Sequence, residues 1–361
     1  MMTVHNFYSG PAVLPKPALV RAQQELFNFN NSGMSVMEIS HRSKEFNDLI
    51  LEAESLLRQL LKVPGDYHVV FLPGGASLQF DLIPLNFLGS RRSADYILTG
   101  GWAERAFEEA SKVGSPRVAF SGKSEMYRRI PKDHEISFDP HASYVHLTSN
   151  NTLYGTQWRH LPVCNGVPLI ADMSSDIASY PIDISKYSMI YAGAQKNLGP
   201  SGLVVAIIQD KFLSLVPENL PTMFSYRTHC EHKGLFNTPN TWGIYMLRNV
   251  LAWIQQEGGV EALSLRNTRK AQLVYELIDK YPSFYLGHAD KESRSLMNIT
   301  WALPNKALED EFLKGAESRQ LIGLKGYRTV GGIRASVYNA LPVESVKILA
   351  SYMDEFATTR A

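Results

Sequence analysis

Apolar residues recur along the chain with two different periods. Phe46, Leu49, Ile50, Ala53, Leu56, Leu57, Leu60 and Leu61 fall at helical spacing, which predicts an amphipathic helix starting near Ser43. Short unbroken apolar runs follow: HVVFL (68–72), YILT (96–99), RVAF, YVHL, PLIAD and MIYAG. Runs of this length, bounded by turn residues, predict strands buried on both faces. Helix-period segments alternate with several of them, as WAERAFEEASKV follows YILTGG. The alternation predicts an α/β fold with a mostly parallel sheet covered by helices.

The pattern changes near Thr241. TWGIYMLRNVLAWIQQEGGVEALSLRNTRKAQLVYELIDKYP reads as two long helices interrupted at Gly258 and Gly259. Beyond it, SLMNITWAL, LIGL and GGIRASVY read as strands, with helices at KALEDEFLKGAES and from about Val343. The expected division is a large α/β domain over 16–258 and a smaller α+β domain over 259–361, preceded by an N-terminal segment, 1–15.

Composition narrows the function classes. The 361 residues hold 36 Lys+Arg against 35 Asp+Glu, a net charge of +1, which gives no electrostatic case for nucleic acid or an anionic membrane as main partner. No apolar stretch reaches transmembrane length, and MMTVHNFYSGPAVLPK lacks a basic-then-apolar signal pattern. Two cysteines, Cys164 and Cys230, cannot form a disulfide scaffold and suit a reducing cytoplasm. HCEHK (229–233) places histidines near a cysteine and a glutamate, but no second ligand group follows at zinc spacing, so no metal is expected. The basic pairs Arg91–Arg92 and Arg128–Arg129 are expected to be solvated.

In a parallel α/β sheet, ligands gather beyond the carboxyl ends of the strands. HVVFLP is followed by GGASLQF, whose small residues open a helix and let backbone N–H groups approach an anion. Trp102 follows YILTGG, Thr152 follows YVHL, Asp172 ends PLIAD, and Lys196 follows MIYAGAQ at a turn between two apolar runs. Singly each is ordinary: a core indole, a helix cap, a solvated turn lysine. Together they place a flat ring, a carboxylate, a phosphate cradle and an amine on one sheet edge. Pyridoxal phosphate needs that set: an amine to condense with its aldehyde, an acid to keep its ring nitrogen protonated, and phosphate donors. A lysine desolvated between strands loses basicity and so becomes nucleophilic.

The motifs NFYSGPAVLP, MSVMEISHRSKEF, GGASLQF, DMSSDIASYPIDISKY, YAGAQKNLGPSG, FNTPNTW and GGIRASVYNA, in this order, resemble those of the phosphoserine aminotransferase family. These are fold-type I pyridoxal-phosphate enzymes of the class V aminotransferase group, with a large cofactor domain, a small C-terminal domain and an N-terminal segment near the active site. The resemblance implies amino transfer from L-glutamate to 3-phosphohydroxypyruvate. It implies Lys196 as the amine that binds the cofactor, Asp172 at the ring nitrogen, Trp102 stacked on the ring and Thr152 beside its phenolic oxygen. Ala76, Ser77 and Gln195 are implied at the cofactor phosphate, joined by Asn237 and Thr238 from a partner subunit, hence a cytoplasmic homodimer with shared sites. Arg334 is implied at the substrate α-carboxylate, His41, Arg42 and Arg328 at its distal phosphate or carboxylate, and Ser9 near the substrate end of the site.

Two departures stand out: Ser77 where some members have arginine, and Gly326-Tyr327-Arg328 where many read Gly-His-Arg. Other readings are a serine–glyoxylate type aminotransferase, a cysteine desulfurase, or a cofactor-binding protein without catalysis. A desulfurase needs a mobile nucleophilic cysteine, and neither cysteine sits in such a loop. A scaffold has no need of Lys196, Asp172, Arg42 and Arg334 together.

Overall fold

Seven strands form the central sheet of the computed structural model, which describes residues 3–89 and 93–360; Arg91–Arg92 lies outside them. In chain order they are β1 (Tyr67–Pro73), β2 (Asp95–Leu98), β3 (Arg117–Ser121), β4 (Val145–Thr148), β5 (Leu169–Asp172), β6 (Met189–Gly193) and β7 (Leu203–Gln209). Their order across the sheet is β1-β7-β6-β5-β4-β2-β3. Strands β3, β2, β4, β5 and β6 pair in parallel, while β7 runs antiparallel to both β6 and β1. The connection from β6 to β7 is too short for a crossover helix, so β7 has to return beside β6 in the opposite sense. That return makes the turn that carries Lys196.

All six apolar runs are strands, within a residue or two of the expected limits. The amphipathic helix spans Lys44–Leu61, with Ser43 Oγ accepting from Phe46 N at 3.2 Å as its N-cap. The interruption at Gly258–Gly259 separates helices Thr241–Gln256 and Gly259–Lys280, and Gly258 holds a left-handed φ of 93° that suits glycine. A second, antiparallel sheet contains Leu286–Gly287, Asn298–Ala302 and Ile333–Ser336.

Alternation along the strands feeds two apolar layers. Val69, Phe71, Val145, Leu147 and Ile190 pack on one face of the large sheet, and Val70, Leu72, Tyr96, Ile170 and Tyr191 pack on the other. A third core surrounds the small sheet and includes Ile299, Trp301, Ile333, Phe312 and Phe356. Helix Gly259–Lys280 gives Val260 and Leu263 to the first layer but Ala271, Val274 and Ile278 to the third core, so it ties the two sheets together. Phe7 also enters the third core, where His5–Asn6 pairs in parallel with Leu321–Ile322. The N-terminal segment is thereby fixed to the small sheet before it reaches the large one.

Phe7 is fully buried. Phe7→Ala should cost about 3–5 kcal/mol, read as a lower denaturation midpoint, because the surroundings close only partly over the lost ring. Leu19→Ala, at a position 46% exposed, should stay within about 0.5 kcal/mol of the parent.

Candidate active site

A cavity of about 420 Å³ opens at the carboxyl ends of β4, β5 and β6. Of the residues expected to form a site, Ser9, Ala76, Ser77, Trp102, Thr152, Asp172, Gln195, Lys196 and Arg334 line it, and so does Tyr327. A larger cavity of about 550 Å³ lies at the opposite end of the sheet, around Cys164, Lys186 and Phe212. Among the described residues no unpaired buried polar side chain lines that one, whereas Trp102, Thr148, Gln195 and Arg334 bring such groups to the smaller cavity.

The turn presenting Lys196 is held from several sides. Leu198 N and Gly199 N both donate to Ala194 O, at 3.1 and 2.8 Å. Asn197 Nδ2 donates to Ile177 O at 3.1 Å, and its Oδ1 accepts from Asn339 N at 3.0 Å. Ala12 N donates to Gln195 O at 2.9 Å, which brings the N-terminal segment alongside. The lysine Nζ donates to Thr152 Oγ1 at 3.0 Å. Burial lowers the amine to about 8, against an ordinary 10.5; the Asp172 charge opposes that shift and the Arg334 charge adds to it.

Asp172 ends β5, buried, with Oδ1 accepting from Ser174 N at 2.9 Å. Burial raises its pKa, while the bonds from Ser174, the charge of Lys196 and the Tyr191 hydroxyl pull it back down. Arg334, on strand Ile333–Ser336, donates from Nη2 to Ser9 Oγ at 2.7 Å. Its Nε and Nη1 have no partner among the described residues although the side chain is buried. A buried guanidinium with open donors is suited to a carboxylate, which can take two parallel bonds from it.

The first turn of helix Gly75–Phe87 has neither a side-chain cap nor an acidic residue, and Gly74 enters it at a left-handed φ of 89°. Its amides at Ala76 and Ser77 therefore face the cavity as an open anion cradle. Gln195 Oε1, Trp102 Nε1 and Thr148 Oγ1 are buried without partners. The orphaned Trp102 and Thr148 groups, the uncapped helix and a softened amine beside a buried carboxylate fit pyridoxal phosphate: an anion at one end, a flat ring, and an aldehyde for the lysine.

The remaining expected residues do not line this cavity. Arg42, Arg328, Asn237 and Thr238 are exposed, and His41 is partly buried with Nε2 unpaired. Asn237 and Thr238 precede Asn240, which caps helix Thr241–Gln256 and donates to Gly202 O at 3.2 Å on the cavity rim. Sequence reasoning missed Thr148, Asn150, Ser174 and Ser175, which line the cavity, and Asp176 behind it. Ser149, Gln157 and Tyr180 all donate to the Asp176 carboxylate, which burial raises to about 6. The signal was there in the polar runs TSNN and MSSD after the strands. His229 and His232 each pair a ring nitrogen with a backbone carbonyl, and no metal cluster forms among the described residues.

Residues 4–349 match the family model for class-V aminotransferases. A phosphoserine aminotransferase from Herpetosiphon aurantiacus is 52% identical over 356 residues, 99% of each chain. Among solved structures, a phosphoserine aminotransferase studied for radiation damage of its Schiff base superposes with a TM-score of 0.98. It is 49% identical, and the match covers 99% of this chain and 100% of that one. The phosphoserine aminotransferase of Bacillus circulans subsp. alkalophilus gives a TM-score of 0.97 at 46% identity, with 99% of each chain covered.

The softened amine makes a measurable difference. Capture of pyridoxal phosphate by cofactor-free protein, trapped with borohydride, should accelerate as pH rises with a midpoint near 8, not near 10.5, because the neutral amine is the nucleophile. Asp172→Asn removes a charge that favours the ammonium and should move the midpoint down; Arg334→Met should move it up. Capture by Lys196→Ala at the parental level would show that another amine is used.

Proposed function

The chain belongs to the class-V aminotransferase family, and we propose that it transfers the amino group between L-glutamate and 3-phosphohydroxypyruvate, giving O-phospho-L-serine and 2-oxoglutarate. The observation that carries this reading is the meeting of Lys196, Asp172 and the half-unpaired Arg334 in one cavity of a chain so similar to phosphoserine aminotransferases. When bound, pyridoxal phosphate supplies an aldehyde that takes up the amino group and a protonated ring that draws electrons from the substrate α-carbon.

The chain's own residues do the rest. Lys196 Nζ, neither fully charged nor fully neutral near pH 8, can hold the α-proton and give it back. Asp172 would keep the ring nitrogen protonated through a charge-assisted bond. The amides at Ala76 and Ser77, with Gln195, would hold the cofactor phosphate, and Trp102 would supply a flat surface for its ring. Arg334 takes the substrate α-carboxylate on its open donors, oriented by Ser9. The N-terminal segment, the large-sheet domain and the small-sheet domain each supply part of the cavity lining.

A cytoplasmic homodimer completes the reading. Asn237 and Thr238 are exposed beside the rim and would serve the cofactor phosphate of a second copy. His41, Arg42 and Arg328 would take the distal phosphate of phosphoserine or the distal carboxylate of glutamate. Tyr327 stands in the cavity where many relatives have histidine; it donates a hydrogen bond but carries no positive charge.

Mixing the loaded protein with single amino acids tests the function: glutamate and phosphoserine should convert the cofactor spectrum to its amine form, and free serine far less. Conversion by serine as readily as by phosphoserine would favour a serine–glyoxylate type enzyme. Mixed dimers of Lys196→Ala with an Asn237→Ala, Thr238→Ala chain should regain one working site each, well above either homodimer. Failure to complement after verified subunit exchange counts against a shared site. Tyr327→Phe should raise KM for phosphorylated substrates by the equivalent of about 1.5–3 kcal/mol at most and leave glutamate nearer normal. Equal losses for both would mean that Tyr327 shapes the cavity without reading phosphate.

A further inference from the structure

Beneath the cavity floor, three strands line up a chain of buried polar side chains that the reading above does not use. Asp172 on β5 and Tyr191 on β6 are register partners on neighbouring parallel strands, so their side chains leave the sheet on the same face. The Tyr191 hydroxyl thus lies on the same face as the Asp172 carboxylate, on whose titration it acts. On its other side the same hydroxyl lies 2.9 Å from His146 Nε2, on β4. His146 and Tyr191 are fully or almost fully buried, and the Tyr96 ring stacks on the imidazole at 4.9 Å and 24°. His146 Nδ1 has no partner among the described residues.

That unpaired nitrogen fixes the direction of the chain. Were Nδ1 protonated, a buried N–H donor would be left unpaired, and Tyr191 would have to turn its hydrogen toward Nε2 and away from Asp172. With the proton on Nε2, the unpaired group is a bare lone pair, which costs less, since orphaned buried donors are the rarer case in folded proteins. His146 Nε2–H then donates to Tyr191 Oη, and the Tyr191 hydrogen is free to donate to Asp172. Burial pushes His146 down to about 3 and Tyr191 well above 10, so both stay neutral at ordinary pH. The charged or titratable groups around Asp172 are then Lys196, Asp176 and Tyr191 itself.

We propose that Tyr191 and His146 are positioning residues: His146 holds the Tyr191 hydroxyl in place so that it donates a hydrogen bond to the Asp172 carboxylate. This rests on the reading that Asp172 faces the ring nitrogen of pyridoxal phosphate. Without the Tyr191 donor, Asp172 becomes more basic and competes for the proton on that nitrogen.

The test uses the holoenzyme loaded with pyridoxal phosphate labelled with nitrogen-15 in the ring, whose resonance separates protonated from unprotonated nitrogen. Tyr191→Phe and His146→Leu should each move the resonance toward the unprotonated value and slow the glutamate half-reaction at least about tenfold at unchanged glutamate Kd, as loss of one hydrogen bond to a charged group predicts. The double variant should lose no more than either single one, because both act through the same bond. His146→Gln, whose amide can donate to Tyr191, should recover part of the signal. An unmoved resonance in Tyr191→Phe, or losses that add in the double variant, would overturn the proposal. Tyr191→Phe keeps the ring and decides alone if His146→Leu does not fold. If Asp172→Asn also leaves the resonance in place, the reading of Asp172 fails, and this proposal with it.

Discussion

Keeping an ammonium away from water is the constraint around which the cavity is built. Lys196 sits in a turn packed on three sides, and desolvation is the largest influence on its amine. The two charges that act on it most strongly pull in opposite directions: Asp172 favours the ammonium and Arg334 opposes it. Desolvation, only partly offset by Asp172, leaves the amine near 8, where a modest change in surroundings shifts it between nucleophile and acid. The same balance requires that the turn not move. Asn197 ties it to Ile177 and Asn339, and the antiparallel return of β7 closes it from beneath.

Arg334 bears a similar burden and meets it differently. Its guanidinium comes from the small sheet, its one satisfied contact comes from Ser9 of the N-terminal segment, and the amine it influences belongs to the large sheet. Tyr338 strengthens the joint by donating to Ser9 O at 3.0 Å. A buried cation with two donors open is costly in isolation, and an arriving carboxylate offsets that cost. Substrate binding and the fit between the two sheets are therefore energetically linked. This is why Phe7, far from the reacting groups, matters to the site: it fixes the segment that brings Ser9 to Arg334.

Much of this could be read from the chain because strand ends are where chemistry collects. A buried parallel strand shows as an apolar run, and the first polar residues after it face the ligand side; Asp172, Thr152 and Lys196 were found that way. The runs did not say which polar residue faces inward. Ser174, Ser175 and Asp176 follow Asp172 within four positions, and only the turn geometry sorts cavity-lining hydroxyls from the carboxylate behind them. His146 and Tyr191 were invisible for another reason. Inside apolar runs they look like core residues, and the hydrogen bond that joins them spans two strands. The two-residue pairing of His5–Asn6 with Leu321–Ile322 is too short to leave any periodic trace.

The positions of the expected residues also separate two tasks. The groups that one chain brings to the cavity, among them Lys196, Asp172, Trp102 and Arg334, lie at the sheet edge or on the small sheet, held by backbone geometry. His41, Arg42 and Arg328, expected to recognise the far end of the substrate, lie on loops outside that cavity. Loops can change without disturbing the strands that aim Lys196 and Asp172, so recognition can vary while the chemistry stays fixed. Tyr327 sits at the junction of the two tasks: it belongs to the recognition loop by sequence but lines the cavity by position. A neutral phenol there, in place of a titratable imidazole, leaves the positive charge for a distal phosphate to the arginines. Tyr327→His should therefore add to the binding of that phosphate a pH dependence near neutrality that a phenol at this position does not give.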